Sequence, residues 1–197
     1  MLIDISQPVF SCRVWPGDPV PKRETVADMA AGDPCNVTAF SMCAHNGTHV
    51  DAPKHFYKDG AGVEAVGLTP FVGDCFVARA AGELGAAEAE EILTRAKAAG
   101  AAARLLLAGE LTVTEEAAAV FADARLLLLG IEGQSVGPAD APRQAHLILL
   151  GAGVCLLEGA VLKNVNEGRY FLSAAPLNLG DADGAPCRAV LIMRDSE

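Results

Sequence analysis

Three of the chain's four histidines fall in one short stretch, His45-Asn46-Gly47-Thr48-His49-Val50-Asp51-Ala52-Pro53-Lys54-His55-Phe56. Imidazole nitrogen and carboxylate oxygen are ligands that zinc, manganese and iron accept. His45 and His49 are four residues apart, which would place them on one face of a helix. Gly47, Thr48, Val50 and Pro53 oppose a helix here. In an extended chain side chains alternate, so His45, His49 and Asp51 share a face unless a turn at Asn46-Gly47 breaks the alternation. Glycine at position 47 would leave room on that face for an ion and its water against the backbone. Pro53 ends the strand and lets His55 swing back toward the others. The spacing therefore predicts a metal site.

The fourth histidine, His146, opens an apolar run, and such a histidine is ordinarily a core residue. Glu158 changes its weight. This acid sits between the apolar residues 154–157 and Gly159, and a buried carboxylate without a cation or hydrogen-bond partner is costly. A helix carrying His146 and a strand ending at Glu158 could aim at one point. Gly133-Gln134-Ser135-Val136-Gly137 matches the nucleophile-elbow pattern, but Pro138 and Pro142 oppose the helix that must follow such a serine. Gly151-Ala152-Gly153 reads as a helix stop, not a nucleotide loop. Trp15 is the only tryptophan, followed by an ordinary Pro16-Gly17-Asp18 turn.

Taken together, these residues resemble the cyclase family of metal-dependent hydrolases, which includes bacterial kynurenine formamidase and isatin hydrolase. HNGTHVDAPKHF is similar to the family's signature. Trp15-Pro16-Gly17-Asp18 resembles its early WPGD element. Gly130-Ile131-Glu132 with Ser135 resembles its GID…S segment, with Glu for Asp. His146 with Leu156-Leu157-Glu158-Gly159 resembles its late H…LEG element. The resemblance runs through nearly the whole chain in the family's order.

The resemblance implies two divalent ions, with zinc and manganese the leading candidates. His45, His49 and Asp51 would bind one. Asp51, His146 and Glu158 would bind the other, with Glu158 reaching both. His55 would donate and accept the proton, and Trp15 would contact substrate. The expected reaction is hydrolysis of a C–N bond in a small amide by a metal-bound hydroxide, and an aryl formamide such as N-formylkynurenine leads the substrates. Ring opening of a cyclic amide, cyclisation or dehydration of another small molecule, and a metal-dependent binding module without turnover are the alternatives. The resemblance also implies a homodimer or homotetramer.

Composition sets the bounds. The chain has 197 residues, 51% hydrophobic and 20% charged, enough for a real core. Its net charge of −10 argues against nucleic acid and anionic membrane as partners. Six cysteines stand singly with no CxxC pair, and no targeting segment is recognised, so a cytoplasmic protein with reduced thiols is expected. Aromatic residues are 5% of the chain, so a stacking wall must be drawn from Trp15, Phe40, Phe56, Tyr57 and a handful of others.

These side chains need a frame. Strands are expected over residues 2–5, 71–80, 104–108, 125–131, 154–157, 170–174 and 187–193, with extended segments at 36–43 and 46–51. Helices are expected over 86–98, from a Thr112 cap with Glu115 to about Asp123, and over 142–150. Alternating strands and helices in the middle favour parallel pairing. The expectation is a single α/β domain over 1–197. The family's swivelling β/β/α arrangement, with a mixed sheet and flanking helices, is implied by the resemblance.

Overall fold

Short apolar runs separated by Ala-rich segments fold as strand–helix units, and the chain's two ends add antiparallel strands to them. The computed structural model describes residues 1–193. The strands in chain order are β1 (Leu2–Asp4), β2 (Lys22–Ala27), β3 (Val37–Ser41), β4 (His49–Asp51), β5 (Val72–Arg79), β6 (Gly82–Leu84), β7 (Arg104–Ala108), β8 (Leu111–Val113), β9 (Leu128–Ile131), β10 (Cys155–Glu158), β11 (Gly168–Ser173), β12 (Gly184–Pro186) and β13 (Val190–Ile192). The helices are α1 (Val63–Val66), α2 (Ala86–Ala98), α3 (Glu115–Asp123) and α4 (Arg143–Gly151).

Nine strands form one mixed sheet in the order β1-β13-β11-β5-β7-β9-β10-β4-β12. Its centre, β5-β7-β9-β10, is parallel, as the strand–helix alternation requires. The flanking pairs are antiparallel.

Alternation along the strands divides the interior in two. Leu105, Leu107, Leu129, Ile131 and Leu156 face α2, α3 and α4, meeting Ile92, Phe121 and Leu149. Leu106, Leu128, Leu157 and Val50 face the other way, onto Ile5, Phe71 and Leu162. This parity decides where the polar residues go. Val50 enters the second core, so His49 and Asp51 point to the helix side. Leu156 lies on the helix side, so Glu158 does too. His49 pairs with Glu158 across the antiparallel β4–β10 ladder.

Several expectations are corrected. The α3 cap is Thr114, whose Oγ1 accepts from Ala117 N at 3.3 Å, and not Thr112, which lies in β8 paired with β6. Thr114→Ala is therefore expected to lower stability by about 0.5–2 kcal/mol, read by chemical denaturation, while Thr112→Ala leaves that cap intact. Strand β9 begins at Leu128 and not at residue 125. Arg125 takes φ 54° in the turn that ends α3, donating its N–H to Ala122 O at 2.9 Å. The segment 36–43 contains β3 as one arm of a hairpin with β2, a strand absent from the sequence expectation. Short strands β6, β8 and β12 are also additions to it. Among the described residues no helix is long and apolar enough to cross a membrane.

Candidate metal centre

The segment 44–48 turns instead of extending, so the alternation expected for His45 fails. Asn46 N–H donates to Cys43 O at 3.2 Å, Asn46 Oδ1 accepts from Cys43 N at 2.9 Å, and Gly47 takes φ 67°. Gly47 does not make room for an ion. A Cβ there would meet Cys12 Cβ at 3.0 Å, so the bare backbone serves the turn and its packing. Thr48 pins the turn by donating to Gly159 O at 2.7 Å and accepting from Gln7 N at 2.9 Å. The turn still delivers His45, whose Nδ1 lies 2.9 Å from Asp51 Oδ1.

From β4 onward the sequence expectation holds. His49 and Asp51 share the helix-facing side and are buried. A 3-10 turn over Pro53–His55 ends the strand and folds His55 back, with its ring stacked on His45 at a centroid distance of 4.0 Å. His146 comes from α4 and Glu158 from the end of β10. They meet at 3.2 Å, between His146 Nε2 and Glu158 Oε1. His146 Nε2 is also 3.7 Å from Asp51 Oδ2, and His49 Nε2 is 3.4 Å from Asp51 and 3.6 Å from Glu158. All six residues singled out as ligands or proton carrier converge.

The arrangement of ring nitrogens fits a cation. His49 Nδ1 lies 3.1 Å from Gly47 O, and His146 Nδ1 lies 2.7 Å from Pro142 O. A carbonyl only accepts, so each Nδ1 donates its proton there. In a neutral ring Nε2 then turns a lone pair toward Asp51 and Glu158. A lone pair facing a carboxylate is repulsive unless a proton or a metal lies between them. Asp51 Oδ2 is fully buried and lacks a hydrogen bond among the described residues. Donor atoms within 4.8 Å of one another fall into two sets, His49-Asp51-Glu158 and His45-Asp51-His55, which share Asp51. These residues fit a divalent ion, and the shared carboxylate fits a pair of them. The division differs from the expected one, because His55 comes within ligand reach and His146 stands just outside both sets.

The carboxylates also raise the proton affinity of the rings that face them. Burial opposes the charged form of His45, but its hydrogen bonds and the charges of Asp51 and Asp183 outweigh that, and its pKa is pushed up to about 9. His49 and His146 also rise, since burial is outweighed by Asp51 and Glu158. Burial pulls Asp51 upward, yet the imidazoles around it hold its carboxyl well below the usual range. Of the four histidines His55 alone is lowered, chiefly by burial. A cation bound there would compete with protons for the ring nitrogens that face the carboxylates.

Beside the centre lies a cavity of about 230 Å³ lined by Trp15, Asp18, Phe56, Gln134, Ser135, His55 and the ligand candidates other than Asp51. Trp15 sits on a turn closed by Asp18 N–H donating to Trp15 O at 3.0 Å. Phe56 stacks on His146 at 4.5 Å between centroids. Of the other aromatic candidates, Phe40 is exposed on β3, and Tyr57 donates its hydroxyl to Leu147 O outside the cavity. Ser135 is followed by turns and not by a helix, and its hydroxyl has no hydrogen-bond partner among the described residues. The elbow geometry of a serine nucleophile is therefore absent. Glu132 lies outside the centre, where it accepts from Gly109 N and Leu162 N at 2.8 and 2.7 Å and staples two loops. Asp183 is a site residue that no sequence motif marks. Its Oδ2 is 3.0 Å from His45 Nε2 and 3.5 Å from His55 Nδ1.

The sequence model of the family described as "Putative cyclase" matches residues 3–138. The chain belongs to the cyclase family. A relative from Delftia acidovorans (strain DSM 14801 / SPH-1), named kynurenine formamidase, is 36% identical over 96% of both chains. A solved structure described as a potential metal-dependent hydrolase with cyclase activity superposes with a TM-score of 0.82, at 28% identity over 100% of this chain and 99% of that one. Isatin hydrolase A from Labrenzia aggregata, bound to benzyl benzoate, shares the cyclase fold with a TM-score of 0.79 at 21% identity, covering 98% of this chain and 94% of its own.

Proposed function

We propose that this chain is a metal-dependent hydrolase that cleaves the C–N bond of a small amide, with an aryl formamide of the N-formylkynurenine kind as its substrate. The observation that carries the proposal is the shared, fully buried Asp51 at the meeting point of two donor sets, beside a cavity walled by Trp15 and Phe56. Relatives named kynurenine formamidase, 36% identical over nearly the whole chain, support the substrate class.

In this reading His45, His49 and Asp51 would hold one ion. Asp51, His146 and Glu158 would hold the second, and Glu158 would also serve the first. Imidazole with carboxylate suits zinc or manganese. When bound, such paired ions bring the pKa of water toward neutrality and polarise a carbonyl. The protein's own groups do the rest. Trp15 and Phe56 place the aryl face so that the formyl carbon meets the centre. His55 takes the proton from the attacking water and returns it to the leaving nitrogen. A C–O bond forms, the C–N bond breaks, and formate and an arylamine leave. Its pKa, lowered by burial, keeps His55 neutral and able to accept a proton near pH 7.

The test is turnover of N-formylkynurenine and of a cyclic amide such as isatin by the zinc- or manganese-loaded protein. Formamide cleavage with little lactam opening is the expected result. Lactam opening alone would keep the hydrolase and change its substrate. Tight binding without product from either would overturn the enzyme reading.

A further inference from the structure

The imidazoles aimed at Asp51 and Glu158 are each held from behind, and the holders differ. His49 and His146 are anchored on the backbone carbonyls of Gly47 and Pro142. His45 is anchored on a side chain. Its Nε2 lies 3.0 Å from Asp183 Oδ2, while its Nδ1 faces Asp51 Oδ1 at 2.9 Å. A neutral imidazole has one N–H and one lone pair. Donation from Nε2 to Asp183 leaves the Nδ1 lone pair facing the centre. The same Asp183 oxygen is 3.5 Å from His55 Nδ1, so one carboxylate touches both stacked rings.

The backbone under Asp183 is fastened to the elements that carry those rings. Asp183 O accepts from Ala52 N at 2.9 Å, next to Asp51, and Ala182 O accepts from Val63 N at 2.9 Å. Lys54, in the turn that carries His55, is ion-paired with Asp181. Gly184 pairs with Asp51 across β12 and β4. A Cβ on Gly184 would come within 2.7 Å of His45 Cε1, so the absence of a side chain lets the ring lie against this strand.

We propose that Asp183 is a positioning residue that presents His45 to the metal through Nδ1 and holds the His55 ring in place beside it. The proposal rests on the metal-centre reading above. Outer partners of ligand histidines fix the tautomer and ring orientation, and their loss typically costs 10–100-fold in metal affinity.

The experiment is cobalt(II) titration of the metal-stripped full chain, read by visible absorption and by chelator competition. Asp183→Ala is expected to weaken cobalt binding by about 10–100-fold and to change the spectrum. Asp183→Asn keeps a carbonyl oxygen to accept from Nε2–H and is expected to recover most of both. The Asp183 side chain is 47% exposed, so truncation should leave the fold intact, and Asp183→Ser serves as the truncation if the Ala variant does not fold. Parent affinity and spectrum in the truncated variant would overturn the role. An Asp183→Asn variant as weak as the truncated one would overturn positioning in favour of bare charge. No cobalt binding by the parent would instead remove the metal-centre reading itself.

Discussion

Asp51→Asn is expected to lose its bound metal and its turnover together while keeping its fold. The carboxylate is fully buried, and both donor sets include it. Its Oδ1 faces His45 and His49, and its Oδ2 faces His146 without a hydrogen bond. An amide supplies one acceptor oxygen, no charge, and an NH₂ that points hydrogens at the position of a cation. It cannot bridge two ions. Loss of an outer partner alone costs up to about 100-fold in metal affinity, so loss of a shared ligand should exceed that. The fold is expected to survive because the amide is the same size and the imidazoles around it can shed protons once the carboxylate charge is gone. Metal analysis and circular dichroism on the same sample separate the two effects. A folded Asp51→Asn variant with full metal and full activity would refute the shared-ligand assignment.

His55→Ala is expected to leave metal content unchanged and to slow turnover by about 10²–10⁴-fold, the range for loss of a positioned acid–base group. The geometry offers His55 two roles, because it belongs to one of the close donor sets. Access to solvent favours the proton carrier. The His55 side chain is 28% exposed, against 1% for His49 and 3% for His146. A proton carrier must reach water and substrate in the cavity that it lines, whereas a ligand gains from exclusion of water. A fall of about one metal ion per chain in the variant would reassign His55 as a ligand. Unchanged turnover would remove it from the chemistry.

Much of this centre is legible in the sequence because strand alternation fixes faces. Val50 is apolar and must enter a core, so His49 and Asp51 must face the opposite side, and the same argument places Glu158 against Leu157. The alternating strands and helices of the middle likewise fix the parallel centre of the sheet. What alternation cannot reach is the turn. Gly47 at positive φ breaks the parity expected for His45, and the contact with Asp51 comes from tertiary packing pinned by Thr48, Gln7 and Gly159. Asp183 is illegible for a related reason. It is 138 residues from His45, in the loop before β12 with Gly180 and Asp181, where an acid reads as ordinary turn chemistry. Only the β4–β12 pairing brings it into the site. The α3 cap shifts by two residues because Thr112 and Thr114 are equivalent by composition, and pairing with β6 takes the first.

The measurement that bears most directly on the central claim is the metal content of the purified protein by elemental mass spectrometry. About two divalent ions per chain are expected, after reconstitution with zinc or manganese if purification strips them. A protein that stays free of metal after reconstitution with both would contradict the hydrolase reading and leave a cyclase-family fold without its chemistry.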